Sequence, residues 1–343
     1  MMLKFKLLFF LLALFFCFQS CLQNTDFRVI KDSDTSYSQD IRSITKKINE
    51  TPKVAELYYK RANTFYFEDN FKEAITDIGY AIELDSINPL YYFKKSQYLM
   101  AFDSVDSKEA EKTLKKSISL KKDYFEAYID LAKIQLAKQN YNDAEQSYIE
   151  ANKIDPSNPT PYFYLGILAK EMKDTQKAIS LFEKTLVYES NHYDAIMQLG
   201  NYYAEKQNPK AMMFFDRAIK INELSDEALY AKALFLQKEE KYKDASALYE
   251  LITKINPSHK FCRYNLAYIH VLFKNYNDAQ SLLDELILME DSYADAYALR
   301  GFIKEKKNDK TGAYTDYQKA LEHDKNQTQA LNGLKRVNIS LSF

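Results

Sequence analysis

The chain has 343 residues, a formal net charge of −1 and 46% hydrophobic residues. Its length alone suggests two domains, and the apolar fraction is ample for a folded core. The nearly balanced charge argues against nucleic acid as a partner, because nucleic-acid-binding proteins concentrate basic residues on one face.

The first 20 residues are predicted to be a secretory signal peptide. Lys4 and Lys6 precede an apolar run over residues 7–16. A helix that crosses a membrane needs roughly 20 apolar residues, so this run is too short to span. A basic start followed by a short apolar run is typical of a signal peptide, which is removed from the mature protein.

Residues 18–21, Phe-Gln-Ser-Cys, resemble the lipobox of bacterial lipoproteins. The resemblance implies that Cys21 is lipidated and becomes the mature N-terminus, and Ser20 is the small residue that this motif requires before the cysteine. Cys17 is a poorer candidate because the bulky Phe16 precedes it. The alternatives are an ordinary secreted protein or an uncleaved N-terminal anchor.

Two short segments follow the signal. Residues 21–39 are rich in Gln, Asn, Thr, Asp and Ser and show no apolar period, so a flexible tether is predicted. Residues 40–54 carry Ile41, Ile44 and Ile48 at helical spacing, which predicts a single capping helix over the first unit.

A two-helix unit is clearest in residues 125–158. Two runs of mostly apolar or small residues at helical spacing mark its helices: Tyr128, Leu131, Ala132 and Gln135, then Ala144, Tyr148 and Ala151. The polar pair Gln139-Asn140 separates the two runs. Pro156 lacks the backbone N–H that a continuing helix needs, so the second helix must end before it.

The same pattern recurs with a period of 34 residues over most of the chain. The eight units are residues 55–88, 89–124, 125–158, 159–192, 193–225, 226–259, 260–293 and 294–327. An alanine recurs in every second helix: Ala74, Ala110, Ala144, Ala178, Ala211, Ala245, Ala279 and Ala313. Two extra residues around positions 103–107 and one missing residue beside Pro209 change the unit length within turns, where a solenoid tolerates them.

This pattern resembles the tetratricopeptide repeat, position by position over residues 55–327. The resemblance implies an all-α fold, a right-handed superhelical α-solenoid with a half-repeat N-terminal cap and a C-terminal capping helix at 328–343. Because each unit of a solenoid packs on its neighbours, one continuous core is expected rather than two domains. Arg263 departs from the family's aromatic residue, and the bulky Ile252 and Leu286 predict wider helix spacing.

No motif predicts an enzyme. The four histidines are far apart, and none has a second histidine three or four residues away, as helical metal sites do. There is no glycine-rich phosphate loop and no Gly-x-Ser-x-Gly sequence. We therefore predict a non-catalytic protein without metal or cofactor, and we interpret Cys262 as a packed side chain. An enzyme with a site assembled from distant residues is the least favoured alternative.

In the tetratricopeptide-repeat family the first helices line a concave groove, and the resemblance implies which residues face it. The candidates for binding a protein or peptide partner are large apolar or aromatic side chains: Tyr59, Phe93, Phe163, Tyr230, Leu234, Phe261, Tyr264 and Tyr268. They are densest in units six and seven, where Glu227 and Lys238 form a polar rim. Two interpretations stay open: these side chains contact a partner, or they pack between neighbouring first helices.

The resemblance implies a membrane-tethered scaffold or adaptor for protein–protein interactions in a bacterial cell envelope, anchored by lipid in the outer membrane. The alternative is a groove for a non-protein ligand such as a glycan, which clustered coplanar aromatic rings with acidic neighbours would favour. The family's carboxylate clamp of Lys and Asn is not expected, because Asn63 is paired with Tyr59 and Asn201 with Met197.

Overall fold

The computed structural model describes residues 31–102 and 107–341. Within these ranges there are 18 α-helices and no β-strand. They are α1 Gln39–Glu50, α2 Ala55–Phe67, α3 Phe71–Leu84, α4 Pro89–Phe102, α5 Ser107–Leu120, α6 Phe125–Ala137, α7 Tyr141–Ile154, α8 Pro159–Glu171, α9 Thr175–Tyr188, α10 Tyr193–Glu205, α11 Lys210–Ile221, α12 Asp226–Lys238, α13 Tyr242–Ile255, α14 Lys260–Leu272, α15 Tyr276–Met289, α16 Ala294–Lys306, α17 Lys310–His323 and α18 Thr328–Leu341. The signal peptide, Cys21 and most of the insertion near residue 105 lie outside the described residues.

From α2 to α17 the helices form eight pairs, and the two helices of each pair pack on one another. The first helices begin where the sequence repeat begins: Ala55, Pro89, Phe125, Pro159, Tyr193, Asp226, Lys260 and Ala294. The predicted all-α helical repeat solenoid is thereby confirmed. None of the helices in the described part of the chain is both long and apolar enough to cross a bilayer.

A common turn joins the two helices of seven units. Each turn holds one non-glycine residue with φ between 52° and 66°: Asp69, Gln139, Lys173, Gln207, Glu240, Lys274 and Asn308. The next residue donates its N–H to a carbonyl five residues upstream, as Asn140 does to Gln135 at 2.8 Å. This closing bond satisfies a carbonyl that the end of the first helix would otherwise leave without a partner.

The recurrent alanines occupy the core. All eight are buried, because a small side chain lets the two helices of a unit approach closely. Large residues fill the remaining space, and the fully buried ones include Tyr98, Tyr148, Tyr249 and Tyr317. Ile252 and Leu286, which the sequence marks as bulky departures, are both fully buried.

The expected single core is not what the structure shows. The chain divides after Asp155 into two compact units, which we call the N-terminal body, up to Asp155, and the C-terminal body, from Pro156 onward. In the described part of the chain, each body has apolar clusters of its own. Because each unit contacts only its neighbours, the core is built from local clusters along the chain. The sequence period does not reveal where this series of clusters divides into two bodies.

Helices close both ends of the repeat array. Helix α1 starts at Gln39, one residue before the predicted cap, and the Ser38 Oγ accepts the N–H of Ile41 at 3.3 Å. Ile41 is fully buried against the first unit. At the other end, α18 begins at the predicted Thr328 and buries Ala330 and Val337.

Candidate protein-binding groove

Several of the fifth residues of the units, which are predicted to face the groove, pack against the next unit. In four units the ring of this residue contacts the ring of the residue that directly precedes the next first helix. The pairs and centroid distances are Phe93–Tyr124 at 4.9 Å, Phe163–His192 at 4.7 Å, Tyr230–His259 at 4.9 Å and Tyr264–Tyr293 at 5.7 Å. These rings therefore belong in part to the packing between units.

In the N-terminal body this packing dominates. Phe93 is only 7% exposed and belongs to the apolar core, so it offers almost no surface to a partner. The difference from the prediction arises because Tyr124 covers the ring. Tyr59 is half-buried, with its ring 5.5 Å from that of Tyr91.

The C-terminal body contains a cleft of about 650 Å³, formed mainly by α10, α12 and α14. Three predicted residues line it together: Tyr230 and Leu234 from α12 and Phe261 from α14. Phe261 is 58% exposed, while Tyr230 and Leu234 are half-buried. A volume of this size is in the range of pockets that accept a drug-sized molecule or a few side chains.

Other predicted residues lie outside the lining of this cleft. Tyr264 and Tyr268 are on α14, where Tyr264 is half-buried and Tyr268 exposed. Phe163 is half-buried on α8, stacked on His192. The structure therefore brings together three of the eight candidates rather than one continuous stripe.

Charged side chains surround the apolar part of the cleft. Glu227 and Lys238, the predicted polar rim, both line it, together with residues that the sequence reasoning did not select: Lys170, Glu205, Asp226 and His259. Acidic and basic groups are thus both available to orient a bound segment. A ring-bearing residue, tyrosine or histidine, directly precedes the first helix of several units. This recurrence in the sequence could have identified His259 as a lining residue.

Two polar contacts hold the wall of the cleft. The N–H of Cys262 donates to Nδ1 of His259 at 3.3 Å, so this imidazole caps the start of α14. Asn265 donates to the hydroxyl of Tyr230 at 3.3 Å. Burial raises the pKa of Tyr230, which keeps this hydroxyl protonated at neutral pH.

The three rings at the mouth of the cleft do not form a flat platform. The planes of Tyr230 and His259 are inclined at 43°, and those of His259 and Phe261 at 77°. Sugar rings stack on flat aromatic faces, whereas inclined rings enclose an apolar side chain on several sides. This geometry favours an apolar peptide side chain as the occupant.

Cys262, which follows the cleft residue Phe261, is not poised to act as a nucleophile. Cys262 is fully buried, and burial raises the pKa of its thiol to about 12, so the reactive thiolate is not formed at neutral pH. Among the described residues, no group of three or more His, Cys, Asp or Glu side chains could hold a metal ion.

A smaller cleft of about 440 Å³ lies in the N-terminal body. Tyr66, Met100 and Ile134 contribute apolar surface to it, and Gln97 donates to the carboxylate of Asp130 at 3.4 Å. Burial raises the pKa of Asp130. This cleft is another apolar pocket with one polar edge, formed mainly by the first helices of units two and three, with Tyr66 contributed by unit one.

Paired helices, a small residue at close approaches between them and a cleft between first helices define a helical repeat protein. The family model described as the second ARM domain of tetratricopeptide repeat protein 21 matches residues 78–308, well over half of the chain. The chain therefore belongs to this tetratricopeptide-repeat family.

Known proteins of this kind are distant relatives. The chain is 21% identical over 311 residues to human protein O-mannosyl-transferase TMTC3, covering 89% of this chain and 33% of that protein. It is 22% identical over 276 residues to Hsp70-Hsp90 organizing protein 2 of Arabidopsis thaliana, covering 80% and 42%. The chain thus spans less than half the length of these two curated relatives.

Solved structures show the same fold. The C-terminal part of a TPR repeat-containing protein from Cytophaga hutchinsonii aligns with a TM-score of 0.58 at 16% identity, covering 72% of this chain and 98% of that one. At this identity the likeness concerns the fold alone.

Proposed function

We propose that this protein is a non-catalytic scaffold or adaptor that holds protein partners in a bacterial cell envelope and is tethered to the membrane by lipid. The observation that carries the proposal is the cleft lined by Tyr230, Leu234 and Phe261. The relative named an Hsp70-Hsp90 organizing protein has a name that describes bringing two proteins together, in agreement with this role.

Binding in the cleft uses apolar contact at the centre and charge at the edge. A partner side chain that covers Phe261 removes from water a ring that is now 58% exposed. Aromatic residues at the centre of an interface commonly contribute 2 kcal/mol or more, while charged groups at the rim mainly set orientation. Glu227 and Lys238 have opposite charges and therefore favour one direction of the bound segment.

The tether is proposed from residues 18–21. An acylated Cys21 would attach the chain to the membrane, because each buried CH₂ group contributes about 0.8 kcal/mol and two or more acyl chains give stable attachment. Cys21→Ala is expected to abolish lipid labelling, to block cleavage at that site and to change how the protein is extracted from membranes. Unchanged labelling in this variant would refute the anchor.

Photo-crosslinking tests the binding role. A photoreactive amino acid replaces Phe261 in the full-length chain in its native envelope, and adducts are identified by mass spectrometry. The control replaces Leu288, which is 87% exposed on α15 and does not line the cleft. We expect a discrete protein adduct from position 261 only, and its loss when Tyr230→Ala is added.

Three other outcomes discriminate among the alternatives. The same adducts from both positions would show that the cleft has no selectivity and would contradict the proposal. An oligosaccharide adduct without a protein adduct would assign the cleft to a glycan. A small-molecule adduct that is chemically altered on incubation with the wild-type chain would identify an enzyme.

A further inference from the structure

The ends of two first helices in the N-terminal body expose aromatic side chains to solvent. Phe67 ends α2 and is 76% exposed, and Phe102 ends α4 and is 48% exposed. The ammonium group of Lys72 lies 5.5 Å from the centre of the Phe102 ring. We call these three residues the aromatic edge.

Ring contacts connect this edge to the body beneath it. The Tyr66 ring lies 5.6 Å from Phe67, 5.9 Å from Phe71 and 4.9 Å from Tyr98. Tyr98 is fully buried. Because Phe67 is joined through Tyr66 to a rigid core, its ring has a fixed position and does not belong to a loose chain end.

The N-terminal part of the chain leads away from the same edge. The Tyr37 ring contacts the Phe65 ring edge-on at 5.6 Å, near the end of α2, and Ser38 caps α1 immediately afterwards. About 16 residues separate Tyr37 from Cys21, and covalent geometry limits this span to about 55 Å. A lipid on Cys21 would therefore confine Tyr37 to within about 55 Å of the bilayer, so the aromatic edge can reach the bilayer surface.

We propose that the aromatic edge rests on the surface of the lipid bilayer that holds Cys21, an inference that depends on the proposed lipid anchor. Phenylalanine side chains on a membrane-facing surface can enter the boundary between lipid headgroups and acyl chains. The Lys72 stem can lie along this boundary while its ammonium group reaches the phosphates. Tethering makes the contact intramolecular, so two phenylalanine rings suffice where a free protein would not bind.

The experiment uses the full chain, purified in its acylated form and reconstituted into phosphatidylcholine vesicles. Single cysteines are introduced as Phe67→Cys, Phe102→Cys and, as the matched control, Phe273→Cys, then labelled with a fluorophore. Phe273 is 46% exposed and directly follows the first helix of unit seven in the C-terminal body. Cys262 is fully buried and does not compete for the label.

Lipids with a nitroxide in the headgroup region then quench any fluorophore close to the bilayer surface. We expect quenching at positions 67 and 102 to exceed that at 273 by about twofold or more, because interfacial groups lie within about 5–10 Å of the headgroup boundary. Similar quenching at all three positions, or none at 67 and 102, would overturn the inference.

Flotation of the vesicles separates failure of this inference from failure of the anchor. A chain that floats with the vesicles but shows no quenching at 67 retains its anchor and lacks the proposed contact. A chain that does not float refutes the anchor, and the inference with it. A label at 67 that is shielded in native envelopes but unquenched in vesicles would assign the edge to a protein partner and overturn the lipid assignment.

Discussion

At the scale of single residues, Arg263 replaces the aromatic residue of the repeat without loss of its contact. In three units a tyrosine at this position donates its hydroxyl to a carbonyl six residues upstream: Tyr58 to Pro52, Tyr92 to Ser86 and Tyr162 to Pro156. Arg263 donates to the carbonyl of Pro257 at 2.6 Å, also six residues upstream, and to the Glu285 carboxylate. In these four units the position thus fastens the turn that precedes the first helix.

Arg263→Ala is expected to lower the free energy of unfolding by about 2 kcal/mol, because the Pro257 carbonyl loses a charged donor and the buried side chain leaves a void. Arg263→Tyr should recover part of this loss by restoring the hydroxyl donor found in the other units. Urea unfolding followed by circular dichroism measures both variants. Equal stability of the two variants would show that the carbonyl contact contributes nothing.

At the scale of helices, glycine marks the closest approaches within a unit. A Cβ atom on Gly200 would lie 2.8 Å from the Phe215 ring, and one on Gly166 would lie 2.7 Å from the Phe182 ring. Both rings are buried and have little room to move. Gly79 is different, since nothing beyond its own helix backbone and its chain neighbours lies within 4 Å of a Cβ atom there.

These contacts predict opposite effects of one substitution. Gly79→Ala should stabilise the protein by up to about 1 kcal/mol, because alanine is the better helix former. Gly200→Ala should destabilise the protein by about 1–2 kcal/mol, because overpacking against Phe215 costs more than the higher helix propensity of alanine contributes. Thermal unfolding of the two variants gives the comparison, and a shift in the same direction for both would contradict the packing argument.

The last helix is held by charge as well as by apolar contact. The guanidinium group of Arg336 on α18 donates to both carboxylate oxygens of Glu305 on α16, at 2.8 and 2.9 Å. The hydroxyl of Tyr317 donates to the same carboxylate at 2.7 Å. The hydrogen bond from Arg336 is the largest contribution that lowers the pKa of Glu305.

This lowered pKa predicts that acid weakens the docking of α18. The ionised Glu305 stabilises the folded state above the pKa of an unfolded glutamate, about 4.3, and that stabilisation is lost as the pH falls through the lower folded value. Hydrogen exchange of the α18 amides should accelerate over this range relative to α13. Arg336→Gln should reduce the difference in acid-induced exchange between the α18 and α13 amides. If the pH profile of that variant is unchanged, this ion pair is excluded as the cause.

At the scale of the whole molecule, stability accumulates from contacts between neighbouring units. Deleting all of unit seven, residues 260–293, should leave a shorter helical protein that unfolds cooperatively, because unit six can then pack on unit eight. Deleting only residues 260–274 should be far more damaging, since α15 loses its partner helix. Equal tolerance of the two deletions, measured by circular dichroism and urea unfolding, would refute these unit boundaries.

The sequence by itself determined the local architecture. A period of 34 residues, small residues at close approaches and prolines after second helices are local signals, and they placed the start of all eight first helices. Three residues that the sequence selected as groove candidates, Tyr230, Leu234 and Phe261, line one cleft in the structure. These features depend on spacing along one chain, which the sequence displays directly.

Only the tertiary structure decided which groove residues are open to a partner. Phe93 and Phe163 occupy the same position of their units, yet the first is in the core and the second is half-buried on His192. Phe261 alone among the three candidates that line the cleft is largely exposed. Exposure depends on the side chain that the next unit places against each ring, and a repeat period does not specify that contact.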